Sequence, residues 1–390
     1  MTAPRLTLID AAFFERPVTL RLPFRFGVVT LTEAPQAFVR AAIRLSDGRT
    51  GAGWAAELLA PKWFDKSPAL TNEHNFDQLR RSLRLAKRHL AAAGPDTAFG
   101  LSAAADRPHR DACRAEGLNG LVASFGLALL ERAIIDALAR VLGVPAVTLV
   151  NDNRLGVTAQ ETPDLEGFDL DACLRHLLPA SEIAVRHTVG MVDALTRAET
   201  AGRRLEDGLP ESLEEAIACY GHRHFKLKVS GDLPADLARL CAIAAVLDGV
   251  SEPYVVTLDG NEQFTDVGGI TELWRRIGET PRLERLRSAV AFIEQPIARD
   301  RALSEAVHGL AARVPLEVDE SDADITVFPR ARALGYRGIS TKSCKGFYRG
   351  LLNRARVALW NADNPAGGFF LSAEDLTTQS GEEAAVKSLA

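Results

Sequence analysis

A parallel (β/α) barrel preceded by an α+β unit is the fold class this sequence predicts, on three observations. From about residue 181, strand and helix patterns alternate regularly, as a parallel sheet buried on both faces requires. Apolar runs in that region end in charged residues: HFKLKVSG, YVVTLDGNEQF, VAFIEQP, VPLEVDES and YRGISTKSCKG. These runs lie roughly 25 to 35 residues apart, the length of one strand and one crossover helix. Chemistry-bearing residues at the C-terminal ends of many strands favour a closed barrel over a doubly wound open sheet. No GxGxxG follows the first strand, as a dinucleotide-binding sheet would need.

Residues 1–155 form the first unit. LTLIDAAFFERPV and AFVRAAIRLSDGRTGAGWAAE alternate as strands do, with SDGRTG as a hairpin turn. Between them RLPFRFGVVTLTEAP, with Gly27 and two prolines, reads as a loop, and LLAPKWFDKSPAL as a second loop carrying aromatics and lysines. Residues 71–92 are helical in period through Leu79, Leu83, Leu85 and Leu90. LNGLVASFGLALLERAIIDALARVLG is the longest apolar-periodic segment, closed by Gly143 ahead of Pro145, and too interrupted by charge to cross a membrane. Residues 156–180 are polar and read as a connection. Residues 181–390 carry seven strands in βα alternation, from EIAVRHTVGM to GGFFLSAEDLT, then a short helical pattern, SGEEAAVKSLA.

Composition excludes several classes. Apolar content of 47% and charged content of 25% are ordinary for a soluble globular protein. A net charge of -5 gives no footprint for nucleic acid or an anionic membrane. The opening MTAPRLTLIDAAFF lacks the basic-then-apolar layout of a secretory signal. Cys113, Cys173, Cys219, Cys241 and Cys344 are scattered without a CxxC pair, so each reads as a small hydrophobe in a reducing, cytoplasmic setting. Cys344 alone lies near the proposed chemistry.

Asp259, Glu294 and Asp319 stand at the ends of three successive strands. One such Asp is most often a helix N-cap. Three brought to one barrel mouth repel each other unless a cation neutralises them, and hard oxygen ligands suit Mg²⁺, with Mn²⁺ as the alternative. Lys226 and Lys228, one residue apart, point to the same face of their strand. Buried lysines need anions, which the next strands supply. Neighbouring cations are expected to lower a lysine's pKa and make it usable as a base. Lys342, four strands after Lys228, faces the site from the opposite wall. Lys345 competes for that role but lies beyond the strand, where a surface or phosphate-type role is more ordinary.

Taken together, KxK, DxN, EQP, DES and K resemble the enolase superfamily, and the sixth-strand lysine its muconate-lactonizing-enzyme-like subgroup (the mandelate racemase/muconate lactonizing enzyme family). The resemblance covers about residues 187–377 and extends to FGLALLERAIIDALARVLGVP in the first unit. It implies an α+β capping domain on a modified (β/α)7β barrel. It also implies Mg²⁺ on Asp259, Glu294 and Asp319, Lys228 and Lys342 as an acid/base pair, and Lys226 stabilising the intermediate. Asn261 and Glu320 would support the metal ligands and the sixth-strand lysine. The implied chemistry is removal of the proton α to a carboxylate, giving an enediolate. Racemisation, epimerisation, β-elimination or cycloisomerisation then follows. o-Succinylbenzoate synthesis and dipeptide epimerisation are alternatives within the scaffold.

The sequence departs from the family at its end, where the eighth strand is missing from the pattern. A truncated or inactive homologue that only binds metal or ligand is therefore the competing reading. The partner implied is a small-molecule carboxylate, acted on by a homo-oligomer. Its specificity would come from cap loops, Phe24, Arg25 and Phe26 in one and Lys62, Trp63 and Phe64 in the other, with Ser372 and Glu374 at the seventh strand. Arg25 or Lys62 is placed to hold a second substrate carboxylate.

Overall fold

The computed structural model describes residues 2–376. Its first sheet is antiparallel in the order β1 (Leu6–Phe26), β2 (Val29–Leu45), β3 (Thr50–Leu58). Most of the segment expected as a loop is strand. β1 and β2 pair from Leu6↔Leu45 to Phe26↔Val29, across a turn that Gly27 makes at φ 47°. Register shifts between Leu8 and Asp10 and between Thr19 and Phe24 break the alternation, and Pro17 stands opposite Pro35. The second shift spans Pro23 and hides the hairpin from a period-two reading.

Three long helices follow: α1 (Asn72–Ala92) and α3 (Gly120–Leu142) pack on this sheet, and α2 (Ala98–Ala115) packs on those two helices. The side chain of Thr71 caps α1, and Gly143 at φ 66° ends α3. α3 is buried on nearly every side, as its apolar run foretold. β3 packs against it closely: a Cβ at Gly53 would meet the Ala137 backbone nitrogen at 2.1 Å. α2 had no counterpart among the expected elements. Its sequence is amphipathic, but alanines carry much of the buried face and Pro108 sits inside it, so it lacks the leucine ladder that marks α1. A short helix, α4 (Ala146–Asn151), ends the first unit, and another, α5 (Leu170–Arg175), structures the polar connection.

The second sheet holds seven parallel strands: β4 (Arg186–Val189), β5 (His224–Lys228), β6 (Val255–Asp259), β7 (Val290–Glu294), β8 (Leu316–Val318), β9 (Gly338–Thr341) and β10 (Phe370–Ala373). They neighbour one another in chain order. Between them run α6 (Leu213–Tyr220), α7 (Leu233–Leu247), α8 (Val267–Glu279), α9 (Glu284–Ser288), α10 (Arg299–Ala302), α11 (His308–Ala311), α12 (Val327–Leu334) and α13 (Phe347–Asp363). The sheet curls as a TIM-type barrel does. Its end strands β4 and β10 are not hydrogen-bonded to each other among the described residues, but the Arg186 guanidinium lies 3.1 Å from the Glu374 carboxylate. The short helix expected over 380–390 lies outside the described residues, and with it the question of an eighth strand.

One apolar core lies between the antiparallel sheet and its helices, the other between the parallel strands and theirs. Cys344, Phe347, Tyr348, Leu351 and Leu352, which follow β9, belong to the first core. The barrel's last helix thus holds the two units together. No described helix is long and apolar enough to cross a membrane. Cys113 and Cys344 are buried and free, and burial raises the Cys344 thiol well above its ordinary pKa, so it is inert near neutrality.

Candidate active site

Strand register brings the charged residues to one rim. Lys228 pairs with Asp259 across β5 and β6, and Asp259 with Glu294 across β6 and β7. Asp319 follows β8 and Lys342 follows β9. All five side chains are buried. Lys226 Nζ lies 2.8 Å from Asp259 Oδ2 and 2.9 Å from Glu294 Oε1, and it donates to Glu374. Lys228 Nζ donates to Asp259 Oδ2 at 2.6 Å. Lys342 Nζ donates to Glu374 Oε1 at 2.7 Å and stands 3.1 Å from Asp319 Oδ2. Glu374 is therefore central, bridging the lysines of two walls.

Neighbouring residues hold this rim in shape. Asn261, at φ 39°, donates its backbone N–H to Asp259 and its amide to Glu320 Oε1, both at 2.9 Å. Gln295 Oε1 accepts the backbone N–H groups of Asp319 (2.8 Å) and Ser321 (3.1 Å), tying β7 to the end of β8. Lys345 corrects its expected surface role. A 3₁₀ turn over Ser343–Lys345 folds it inward, 2% exposed, with Nζ 3.2 Å from Asp319 Oδ1 and 3.4 Å from Asp322. Beneath the rim lie Arg186 and Glu317, neither anticipated as site residues. Arg186 announces itself only as a charge in an alternating strand, and Glu317 as a second acid in LEVDE. Ser372 donates its N–H to Glu317 at 3.2 Å and lines a cavity of about 780 Å³ between β4 and β10.

The electrostatics reverse one expectation. Burial opposes the charge on Lys226 and Lys342. Asp259, Glu294 and Glu374 around the first, and Asp319, Glu374 and Glu294 around the second, outweigh it and raise both pKa values. Neighbouring cations do not win, because each ammonium sits among carboxylates. Burial likewise opposes ionisation of Asp259, but Lys226 and Lys228 lower its pKa. Glu317 is pushed up to about 8 by burial and the Glu294 charge, and Glu320 to about 8 by burial and the Asp319 charge.

The rim fits a hard cation in donor chemistry. Asp259, Glu294 and Asp319 converge from adjacent strands, and Glu294 Oε2 is buried with no hydrogen-bond partner. Asn261 Oδ1 and Glu320 Oε2 are likewise orphaned. The positive charge inside the row is now supplied by lysines, and among the described residues no three His, Cys, Asp or Glu side chains stand in a metal-holding group. The carboxylates hold ammonium groups where a cation's charge is wanted.

The cap closes the mouth with an apolar wall. A pocket of about 230 Å³ lies between Phe24, Phe26, Ala60, Trp63 and Leu376 on one side and Thr188, Lys228, Asn261, Glu374 and Asp375 on the other. Lys342 Nζ stands 5.7 Å from the Trp63 ring centroid. Arg25 and Lys62 do not line this pocket. Arg25 is exposed, and Lys62 Nζ, on a residue at φ 61°, is spent on the Ser67 and Leu70 carbonyls. A clasp missed in the sequence binds cap to barrel: Arg299 grips both oxygens of Glu262 at 2.7 Å, and Lys66 reaches the same carboxylate at 2.7 Å. Arg299 also donates to the Trp63 and Phe64 carbonyls at 2.9 Å.

No protein-family model and no curated protein matches the chain. Solved structures do. A Bradyrhizobium enolase complexed with magnesium and mandelic acid matches at TM-score 0.62 and 18% identity, over 100% of this chain and 85% of that one. A Pseudomonas fluorescens muconate lactonizing enzyme complexed with muconolactone matches at 0.61 and 20%, over 99% and 84%. A Methylococcus capsulatus dipeptide epimerase complexed with Mg and L-Arg-D-Lys matches at 0.56 and 20%, over 98% and 87%. The fold of this chain is theirs.

Proposed function

We propose that the chain belongs to the mandelate racemase/muconate lactonizing enzyme family and is a divalent-metal-dependent enzyme that removes the proton α to a carboxylate. The supporting observation is the pair of lysines, Lys228 at the end of β5 and Lys342 just beyond β9, on either side of one row of carboxylates. The solved structures of this fold with magnesium, or with a carboxylate such as mandelic acid, add support.

Asp259, Glu294 and Asp319 would hold Mg²⁺. When bound, the cation supplies positive charge to the carboxylate row and to the substrate carboxylate, the largest electrostatic contribution to acidifying the α carbon. The protein's own residues do the rest. Lys228 and Lys342, no longer needed as counter-ions, approach the α carbon from opposite faces. The one present as the neutral amine, its own proton released to solvent, accepts the α proton at Nζ and leaves an enediolate, while the other stays protonated. Lys226, fixed between strands, donates toward the negative charge that develops on the substrate oxygens. If the opposite lysine returns a proton, the centre inverts. If a β substituent leaves instead, the product is unsaturated. Asn261, Gln295 and Lys345 hold Asp259 and Asp319 in place throughout.

Solvent-deuterium exchange into a panel of chiral carboxylates, followed by proton NMR, tests this. The expected result is loss of the α-proton signal with Mg²⁺ and none with EDTA. Folded, Mg²⁺-binding protein that exchanges no acid in the panel would support the ligand-binding homologue instead.

A further inference from the structure

Resting on the reading that Asp259 helps hold the cation, we infer that Lys66, on the cap, is a positioning residue for the metal centre. It clamps the turn that orients Asp259, so docking of its cap loop and affinity for the divalent cation are linked.

The turns that follow the carboxylates of β6 and β7 are strained. Asn261 and Glu262 take φ 39° and 68°, and Gln295, next after Glu294, takes φ 31°. Side chains other than glycine adopt this region at a cost, and they persist there only where the surroundings hold them. The strain has a use. It turns the Asn261 N–H onto Asp259 Oδ1 at 2.9 Å, while Oδ2 faces Lys226 and Lys228. It also turns the Asn261 amide onto Glu320. The Glu262 N–H donates to the Gln295 carbonyl at 2.8 Å, so the two turns brace each other.

One cap ammonium grips both left-handed residues of the first turn. Lys66 Nζ donates to the Asn261 carbonyl and lies 2.7 Å from Glu262 Oε2. Arg299, from the barrel, holds the Glu262 carboxylate but not the Asn261 backbone. The loop that carries Lys66 is anchored on the cap. Asp65 accepts the Gln78 amide at 2.9 Å and the Ser67 N–H at 3.0 Å, and Asn119 donates to the Phe64 carbonyl at 2.8 Å. The hairpin tip covers the contact: a Cβ at Gly27 would stand 3.9 Å from both Lys66 Nζ and Asn261 Cβ. Charge-assisted hydrogen bonds partly shielded from water are the strong kind.

Without Lys66 the turn can relax toward ordinary φ. The Asn261 N–H then leaves Asp259, and the carboxylate loses its fixed orientation. Linkage is reciprocal, so a cation that fixes Asp259 tightens the cap loop by the same factor.

The test is a Mn²⁺ titration of the intact chain, Lys66→Met and Lys66→Arg, read from the EPR signal of the free ion, with Mg²⁺ as competitor and Tm measured alongside. Lys66→Met should bind at least about tenfold more weakly, the loss typical when a group supporting a metal ligand is removed. Lys66→Arg keeps a cation within reach of both acceptors and should stay close to the parent. Hydrogen exchange of the amides of residues 59–67 should slow on adding Mg²⁺ to the parent, with no such slowing in Lys66→Met. A folded Lys66→Met that binds as tightly as the parent would overturn the inference and leave the carboxylate row as the metal site. So would Lys66→Met and Lys66→Arg that are equally weak, since the charge would then not matter. No binding of either cation by the parent would remove the metal site itself, and the inference with it.

Discussion

One pocket has two unlike walls. The barrel wall is a lattice of charges supplied by successive strand ends, each ammonium held by carboxylates within about 3 Å. The cap wall is aromatic and carries no free charge toward the pocket. The contrast separates two tasks. Polar groups fixed on strands cost little reorganisation when charge develops, so the reaction belongs to the barrel. An apolar wall on loops sorts substrates by size and charge, so selection belongs to the cap.

The sharpest way to break the comparison is to remove the lysines assigned to proton transfer. Lys228→Ala and Lys342→Ala should each slow net inversion by about 10²–10⁴-fold, the range for a positioned acid or base. Polarimetry on the Mg²⁺-loaded protein measures this.

Next is the lattice itself. Lys226→Met leaves the buried Asp259 and Glu294, and the half-buried Glu374, without their shared cation. Stability should fall by about 3–5 kcal/mol. Mg²⁺ should restore more of it in the variant than in the parent, as thermal unfolding with and without the ion would show. Equal gains in both would argue that the trio does not hold the ion.

A third effect lies where the cap hairpin rests on the barrel's outer face. Burial, aided by the stacked His222, holds His187 at about 4 against an ordinary 6.5. Between pH 6.5 and 4 the unfolded chain binds the extra proton, so stability is full above that window and falls through it on acidification. The loss is at most about 3 kcal/mol. His187→Phe should flatten the slope in urea titrations, leaving exchange at neutral pH intact.

The smallest effect concerns the join. Glu262→Gln weakens the grip of Arg299 and Lys66 on the cap loop and should cost about 2 kcal/mol. KM should rise more than kcat falls, because the loss falls on the cap wall. An equal fall in kcat and kcat/KM would place Glu262 with the barrel's chemistry instead.

The same two walls differ in how far they were legible. Strand order was readable because each rung ends a buried run at one βα interval, and period two puts Lys226 and Lys228 on one face. The end of α3 was readable from Gly143, and the extent of α1 from its leucine period. The cap wall was not. PFRFGVV reads as a loop because the register shift between Thr19 and Phe24 breaks the alternation leading into it, although it is a hairpin end. Lys66, Glu262 and Arg299 come from distant segments, and no local pattern announces their meeting. Lys345 reads as exposed until the 3₁₀ turn over Ser343–Lys345 folds it under Asp319. Pairing by fold, not by sequence neighbours, sets these residues' roles. The lysine pKa expectation failed for the same reason: the counter-ions around Lys226 include Glu374, from the far end of the barrel.

The central claim is that two lysines face one α carbon from opposite walls. It is tested most directly by measuring deuterium incorporation into each separated enantiomer of an exchanging acid, for Lys228→Ala and Lys342→Ala with Mg²⁺. The account predicts complementary losses: each variant stops exchanging one enantiomer and keeps exchanging the other. Folded variants that both exchange the two enantiomers at the parent rate would contradict it.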